Sequence, residues 1–405
     1  MKSNEIPKFG PLSGVKVISS GSNVAGPYAA SMMADFGAEV IFLESTLVKD
    51  MERTTDTKGL LNKERRNHRT IALNTATPEG KEVFLKLIKD ADIFIENSKA
   101  KTWDKWGLSD EVIWQVNPKL VIAHVTGYGQ YGDPKIVSRG SFDAIGQAFS
   151  GYMNINGEPE VPSPAPAYMG DYVTAITASW ACLAAYINAQ KTGKGESVDV
   201  AQFEVLLMIQ GAYPADWFND KKARPRAGAK HPAFAGLEPF QCKDGMIYIQ
   251  FINATSIRKG LPLLGLEYGT ELFPEGSAFV YRGTPGGDLL LERLTKFCAE
   301  RTVTEAEDEL NSVGVASSAI MTYEKMLDHP HYVARSTFTE WDGIEGRKIK
   351  GPSIAPKLQN NPGKIWRTAP HYGKDNEDIL EELGYTAEQI EGFYNNKILN
   401  RDENY

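Results

Sequence analysis

Along the first half of the chain, short apolar runs alternate with longer stretches in which apolar residues recur at three and four. Val15-Lys-Val-Ile18, Val40-Ile-Phe-Leu43, Thr70-Ile-Ala-Leu73, Ile93-Phe-Ile95 and Leu120-Val-Ile-Ala-His-Val125 read as strands. Gly26-Pro27 opens a helix with Met32, Met33 and Phe36 inward, Pro78 opens one that buries Val83, Phe84, Leu87 and Ile88, and another starts near Asp110. This alternation predicts a Rossmann-like α/β domain with a parallel sheet covered on both faces. In such sheets ligands bind beyond the C-terminal strand ends, which points to the loops after Ile18, Leu73, Ile95 and Thr126.

The longest apolar stretch follows Ala167-Tyr-Met-Gly-Asp171. Tyr172 to Gln190 carries no charge, proline or glycine, and predicts a buried helix with Gly170-Asp171 at its N-terminus. Thr, Ser, Trp, Tyr and Asn interrupt the run, so it reads as a core helix and not as a membrane span. Unpaired N–H groups and the helix dipole favour an ionised carboxylate there. Taken alone, Asp171 reads as an N-cap.

Downstream, Thr192-Gly-Lys-Gly-Glu196 is a turn, and Ser197-Val-Asp-Val-Ala201 reads as a strand running into a helix through Leu206, Leu207 and Ile209. Residues 220–236 are polar and marked by Gly and Pro, as in a crossover, and Met246-Ile-Tyr-Ile-Gln-Phe251 opens a smaller α+β segment. From Lys348 the chain is extended, then closes with a helix near Glu377 to Leu383. The expected division is 1–222 for the N-terminal part of a large domain, 223–335 for a small domain with its linkers, and 336–405 for a tail returning to the large domain, which is therefore discontinuous.

Two domains are also what 405 residues suggest. The net charge of −8, from 44 basic and 52 acidic residues, argues against a nucleic-acid partner while allowing a local basic site for an anion. Cys182, Cys242 and Cys298 are too far apart for a metal or redox motif, and the six histidines form no metal-binding pair, so no metal site is expected. The first residues lack the apolar core of a signal peptide, which places the expectation in the cytoplasm.

Candidate anion ligands are Asn97-Ser-Lys99, Lys101 and Lys105 after one strand and Arg65-Arg66-Asn67-His68-Arg69 before another. Gly127-Tyr-Gly-Gln-Tyr-Gly132 matches GxGxxG in form only. Asp133-Pro134 follows where a helix should, and no acidic residue lies between Asp143 and Glu158 to hold a ribose, so a dinucleotide site is rejected.

Several stretches then fall together in order over nearly the whole chain: Gly10-Pro-Leu-Ser-Gly-Val-Lys-Val17, Ala25-Gly-Pro27, Ala34-Asp-Phe-Gly-Ala-Glu-Val-Ile41, Gly127-Tyr-Gly-Gln130, Thr192-Gly-Lys-Gly195, Gly351-Pro352, Pro362-Gly363 and Ala369-Pro370. The chain resembles the class III CoA-transferases. Pro7-Lys-Phe-Gly-Pro11, Asn117-Pro-Lys-Leu-Val-Ile-Ala-His124, Gln147-Ala-Phe-Ser-Gly151 and Asn360-Asn-Pro-Gly-Lys-Ile-Trp-Arg367 are most similar to the branch that works on crotonobetaine and L-carnitine.

The resemblance implies that Asp171 is a nucleophile that forms a mixed anhydride and then an aspartyl-CoA thioester. It implies CoA from crotonobetainyl-CoA or γ-butyrobetainyl-CoA as donor, a carboxylate such as L-carnitine as acceptor, no prosthetic group, and a homodimer of interlocked chains. Lys99 is carried over as a ligand of the CoA phosphates. Lys105 and Trp106 stand where the branch has two arginines, so Trp106 would stack on adenine. Arg66, Asn67, Asn97 and Arg139 are further candidates, and Tyr213, Trp217 and Phe218 could wall a trimethylammonium group. The rivals are a transferase for another acid, an acyl-CoA racemase on the same fold and a non-catalytic acyl-CoA-binding protein. The racemase needs a histidine where Arg139-Gly-Ser-Phe-Asp143 has Phe142.

Overall fold

The computed structural model describes residues 1–402. The apolar runs appear as β1 (Lys16–Ser20), β2 (Glu39–Glu44), β3 (His68–Ala72), β4 (Ile93–Glu96) and β5 (Val121–Thr126), joined by β6 (Ser197–Ala201). All six are parallel, in the order β3-β2-β1-β4-β5-β6. The inner strands are buried on both faces, which is why they are continuous apolar runs and not alternating ones. The strand order reverses between β1 and β4, and a crevice opens beyond their C-terminal ends.

One face is covered by helices Pro78–Lys89, Asp110–Val116 and Asn376–Glu382 through Phe84, Leu87, Ile113, Ile379 and Leu380. Helices Ala25–Asp35 and Met169–Thr192 cover the other. Small buried residues there, Ala29, Ala30, Ala175, Ala178 and Cys182, allow close helix packing against the sheet. The tail closes the edge strand β3: Asp375 accepts the Thr70 N–H and Asn376 Oδ1 the Ala72 N–H, both at 2.9 Å, so the edge is not left open to pairing.

The run Arg65 to Arg69 is not a solvent loop but a buried ion-pair layer. Arg65 reaches Asp50 at 2.7 Å, Arg66 reaches Asp35 at 2.6 Å, and Arg69 reaches Glu39 at 2.7 Å and Glu382 at 2.9 Å. Buried guanidinium groups need such partners, and the partners are distant in sequence.

The chain divides into two compact units, 1–150 with 165–211 and 335–405, and 151–164 with 212–334. The sequence reading set the divisions at 222/223 and 335/336. Residues 151–164 join the second unit because Gly228 N–H bonds Gly157 O at 2.9 Å and Arg226 bonds Pro159 O at 2.8 Å. In that unit β7 (Leu237–Cys242), β8 (Gly245–Gln250) and β9 (Ala316–Ala319) form an antiparallel sheet. Helices Ala254–Leu263, Pro285–Ala299 and Val303–Ser312 bury Ile257, Leu261, Leu290, Leu294 and Leu310 in the same core as Ile247 and Ile249. No helix among the described residues is long and apolar enough to cross a membrane.

Candidate active site

Asp171 is the third residue of helix Met169–Thr192, and it is not the cap. The cap is Tyr168, in the left-handed region at φ +54° like its neighbour Ala167 at φ +58°. Successive non-glycine residues there store local strain, of the order of 1 kcal/mol each, which the surrounding packing must hold. Asp143, at the start of helix Asp143–Phe149, caps from outside: its Oδ1 accepts the Asp171 N–H at 3.2 Å, and its Oδ2 accepts Gln147 Nε2 at 2.8 Å.

The Asp171 carboxylate is asymmetrically held. Oδ1 accepts Gln202 Nε2 at 2.6 Å, while Oδ2 has no hydrogen bond among the described residues. Gln202 opens the helix directly after β6 and is 4% exposed. Burial pushes the Asp171 carboxyl up to about 6; the Gln202 bond draws it back, and Asp143 and Glu64 repel its charge. The helix N-terminus therefore does not keep this carboxyl in the ordinary range, as the sequence suggested, because desolvation outweighs it. At neutral pH it remains mostly ionised, with one oxygen fixed and the other free to attack an electrophile.

Asp171 stands on the wall of two cavities. The first, 460 Å³, lies over the crevice and is lined by Asn97, Lys99, Gly127, Arg139, Ser141 and Gln202 among others. The Lys99 ammonium makes no ion pair among the described residues, and Ser141 Oγ is buried without a hydrogen-bond partner. The second, 760 Å³, is lined by apolar and aromatic groups, including Val24, Met51, Leu60, Phe142 and Tyr168, together with Glu52, Lys63 and Asp143. A cationic, polar cavity and a larger apolar one meeting at a half-restrained carboxylate suit an anionic carrier joined to an organic acid.

The model of the family described as CoA-transferase family III matches residues 12–376. The chain belongs to that family. As a class III CoA-transferase it is an enzyme acting on CoA thioesters. It is 41% identical over 389 residues, 95% of each chain, to an L-carnitine CoA-transferase of Proteus mirabilis (strain HI4320). Among solved structures, it resembles a CAIB/BAIF family protein from Brucella suis, at 27% identity and a TM-score of 0.77, over 93% of this chain and 100% of the other. A hypothetical protein from Mycobacterium tuberculosis, 23% identical, shares the fold with a TM-score of 0.78 over 92% of this chain and 100% of its own.

The transferase brings together only some of the residues singled out from sequence. Lys99, Arg139, Asn97 and Asp171 line one cavity. Asn97, however, spends its amide on the loop after β1, accepting Ser22 N–H at 3.1 Å and donating to Ser22 O at 2.8 Å, so it clamps the crevice. Trp106 packs on Trp103 and lines a neighbouring cavity of 350 Å³. Lys105 is exposed on the short helix Thr102–Lys105 and lines none of these cavities. Arg66 is corrected as a ligand candidate: it is 5% exposed, bonded twice to Asp35 and stacked on Trp341. Asn67 likewise bonds Asp35 and Lys364 O, at 2.9 and 2.8 Å. Tyr213 and Trp217 belong to the second unit, where Arg224 and Lys221 stack on them. The aromatics of the 760 Å³ cavity are Phe142 and Tyr168 instead. Gln202 and Glu52 escaped the sequence reading because nothing in their local pattern distinguishes them from ordinary polar residues, and Asp143 entered it not as a site residue but as the end of the segment in which Phe142 replaces the racemase histidine.

Gly127 of the rejected GxGxxG segment lines the first cavity, and a single helical turn, Pro134–Val137 capped by Asp133, follows the segment. A four-residue turn differs from the long helix a dinucleotide site requires.

Proposed function

We propose that this enzyme moves CoA between betaine acids, with crotonobetainyl-CoA or γ-butyrobetainyl-CoA as donor and a carboxylate such as L-carnitine as acceptor. The observation that carries the reading is the position of Asp171 between a cavity bearing unpaired cations and an apolar one. The name of the Proteus mirabilis relative supports the acid class.

In this reading, Asp171 Oδ2 attacks the thioester carbonyl, and collapse of the tetrahedral adduct expels CoA thiolate and leaves a mixed anhydride. The thiolate attacks the Asp171 carbonyl, giving an aspartyl-CoA thioester and releasing the first acid. The acceptor carboxylate attacks that thioester, and the freed thiolate takes the acyl group from the new anhydride, restoring the Asp171 carboxylate. Lys99 and Arg139 bind CoA phosphates, and the unspent Ser141 hydroxyl donates to an oxyanion. Exposed Ile176, Trp180 and Ile187 on the Asp171 helix, 54%, 70% and 55% exposed, favour burial against a second copy in a homodimer.

Incubation with crotonobetainyl-CoA and hydroxylamine should convert Asp171 to a hydroxamate, read by peptide mass spectrometry. Asp171→Asn should abolish turnover while CoA still binds. Turnover near wild type in that variant would sink the covalent mechanism.

A further inference from the structure

Resting on the betaine reading, we infer that Glu52 is the counter-ion for the quaternary ammonium group and sets the enzyme's preference for cationic acids. Glu52 lies in the turn Met51–Arg53 and lines the same 760 Å³ cavity as Asp171. It is 7% exposed, and its carboxylate makes no hydrogen bond or ion pair among the described residues. An ionised carboxylate in such a place is costly unless a cation reaches it.

The chain's own cations are committed elsewhere. Arg65 bonds Asp50 and Asn23 O, both at 2.7 Å. The Lys63 ammonium bonds Tyr172 Oη at 3.0 Å and lies over the rings of Tyr28 and Tyr172 at 4.9 and 4.4 Å. Burial pushes the Glu52 carboxyl up to about 7, reinforced by Asp50 and Glu64, with Arg65 opposing. A bound cation would ionise it. Asp50 fixes its place, accepting the Glu52 N–H at 3.2 Å and the Asn23 N–H at 3.1 Å, so the turn cannot easily swing out.

A trimethylammonium group cannot donate a hydrogen bond. It needs negative charge and polarisable faces, which Glu52, Phe142 and Tyr168 supply on one wall system. Glu52, Asp143 and Asp171 set against Lys63 leave the cavity with excess negative charge, so a simple fatty acid would enter as an anion against repulsion. The cation of a betaine offsets that repulsion while its carboxylate approaches Asp171.

The test compares two acceptors for the full-length enzyme: γ-butyrobetaine and its uncharged carbon isostere, 5,5-dimethylhexanoate. The ratio of their kcat/KM values removes the donor half-reaction, which both share. Wild type should prefer γ-butyrobetaine, and Glu52→Gln should reduce the preference about 10- to 100-fold by lowering kcat/KM for the betaine alone. Glu52→Asp should restore part of it, and retained transfer to the isostere reports an intact fold. A preference unchanged in Glu52→Gln, or equal losses on both acceptors, overturns the role of Glu52 alone. A wild type that takes the isostere as readily as γ-butyrobetaine overturns the betaine reading and this inference together.

Discussion

Replacing Gln202 by methionine removes one donor from Asp171 while nearly conserving side-chain volume. The lost bond is 2.6 Å long, joins an amide to a carboxylate, and lies beside a residue 4% exposed. Hydrogen bonds to charged groups contribute about 1.5–3 kcal/mol, equivalent to roughly 1–2 pKa units. Since this bond opposes the burial that already pushes Asp171 up to about 6, its loss should carry the carboxyl further up, to about 7–8. As the proposed nucleophile, Asp171 must be ionised, so activity should fall as pH drops through this value. At pH 7 the ionised fraction would fall from roughly 90% to roughly 10–50%, a loss of about two- to tenfold in kcat/KM. The assay is a profile of kcat/KM from pH 5 to 9 for both proteins. The acidic limb should move to higher pH in the variant, and activity should approach wild type at the alkaline end, where any residual deficit measures lost orientation. An unmoved limb would refute the argument that Gln202 tunes Asp171. Stability runs the opposite way to activity: with its folded pKa raised above 3.8, Asp171 favours folding most below that value, and the contribution is lost as pH rises through about 6.

Gly146→Ala should reproduce the Gln202 phenotype, because the added Cβ would come within 2.2 Å of Gln202 Oε1; a wild-type pH profile would show that the amide has room to yield. Lys99→Ala should raise KM for acyl-CoA about 5- to 20-fold with little change in kcat, whereas Arg66→Ala should leave that KM alone and lower stability by about 3 kcal/mol in urea unfolding. Equal effects on KM from both would contradict the structural role given to Arg66. His124 lies between Glu96 at 2.7 Å and Asp110 at 3.0 Å. Burial alone would lower its pKa, but the bonds to Asp110 and Glu96 prevail and raise it to about 10. Its contribution to stability is complete below about 6.5 and is lost as pH rises through about 10. His124→Leu should cost about 3 kcal/mol at pH 7, and a loss under about 1 kcal/mol would exclude a working ion-pair relay behind the Lys99 loop.

The parallel sheet was legible because its inner strands are buried on both faces, so their composition records their surroundings without help from distant residues. The same holds for helix Met169–Thr192, whose uncharged face is a local property of the chain. Lys99 and Asp171, singled out through the family resemblance, both line the first cavity. Arg66 misled for the opposite reason: arginine looks alike in sequence whether it faces phosphate or a buried carboxylate, and the answer lay in Asp35, at the end of helix Ala25–Asp35.

By itself, the sequence determined the order of strands and helices, the crevice beyond the strand ends and the family to which the enzyme belongs, because these follow from local periodicity and short motifs. Only the tertiary structure decided that Asp143 rather than Asp171 caps the helix, that Gln202 holds one oxygen of Asp171, and that Glu52 lines the apolar cavity without a partner. Those facts depend on charges and donors brought together from distant segments, and electrostatics in a desolvated cavity is set by which groups meet, not by where they stand in the chain.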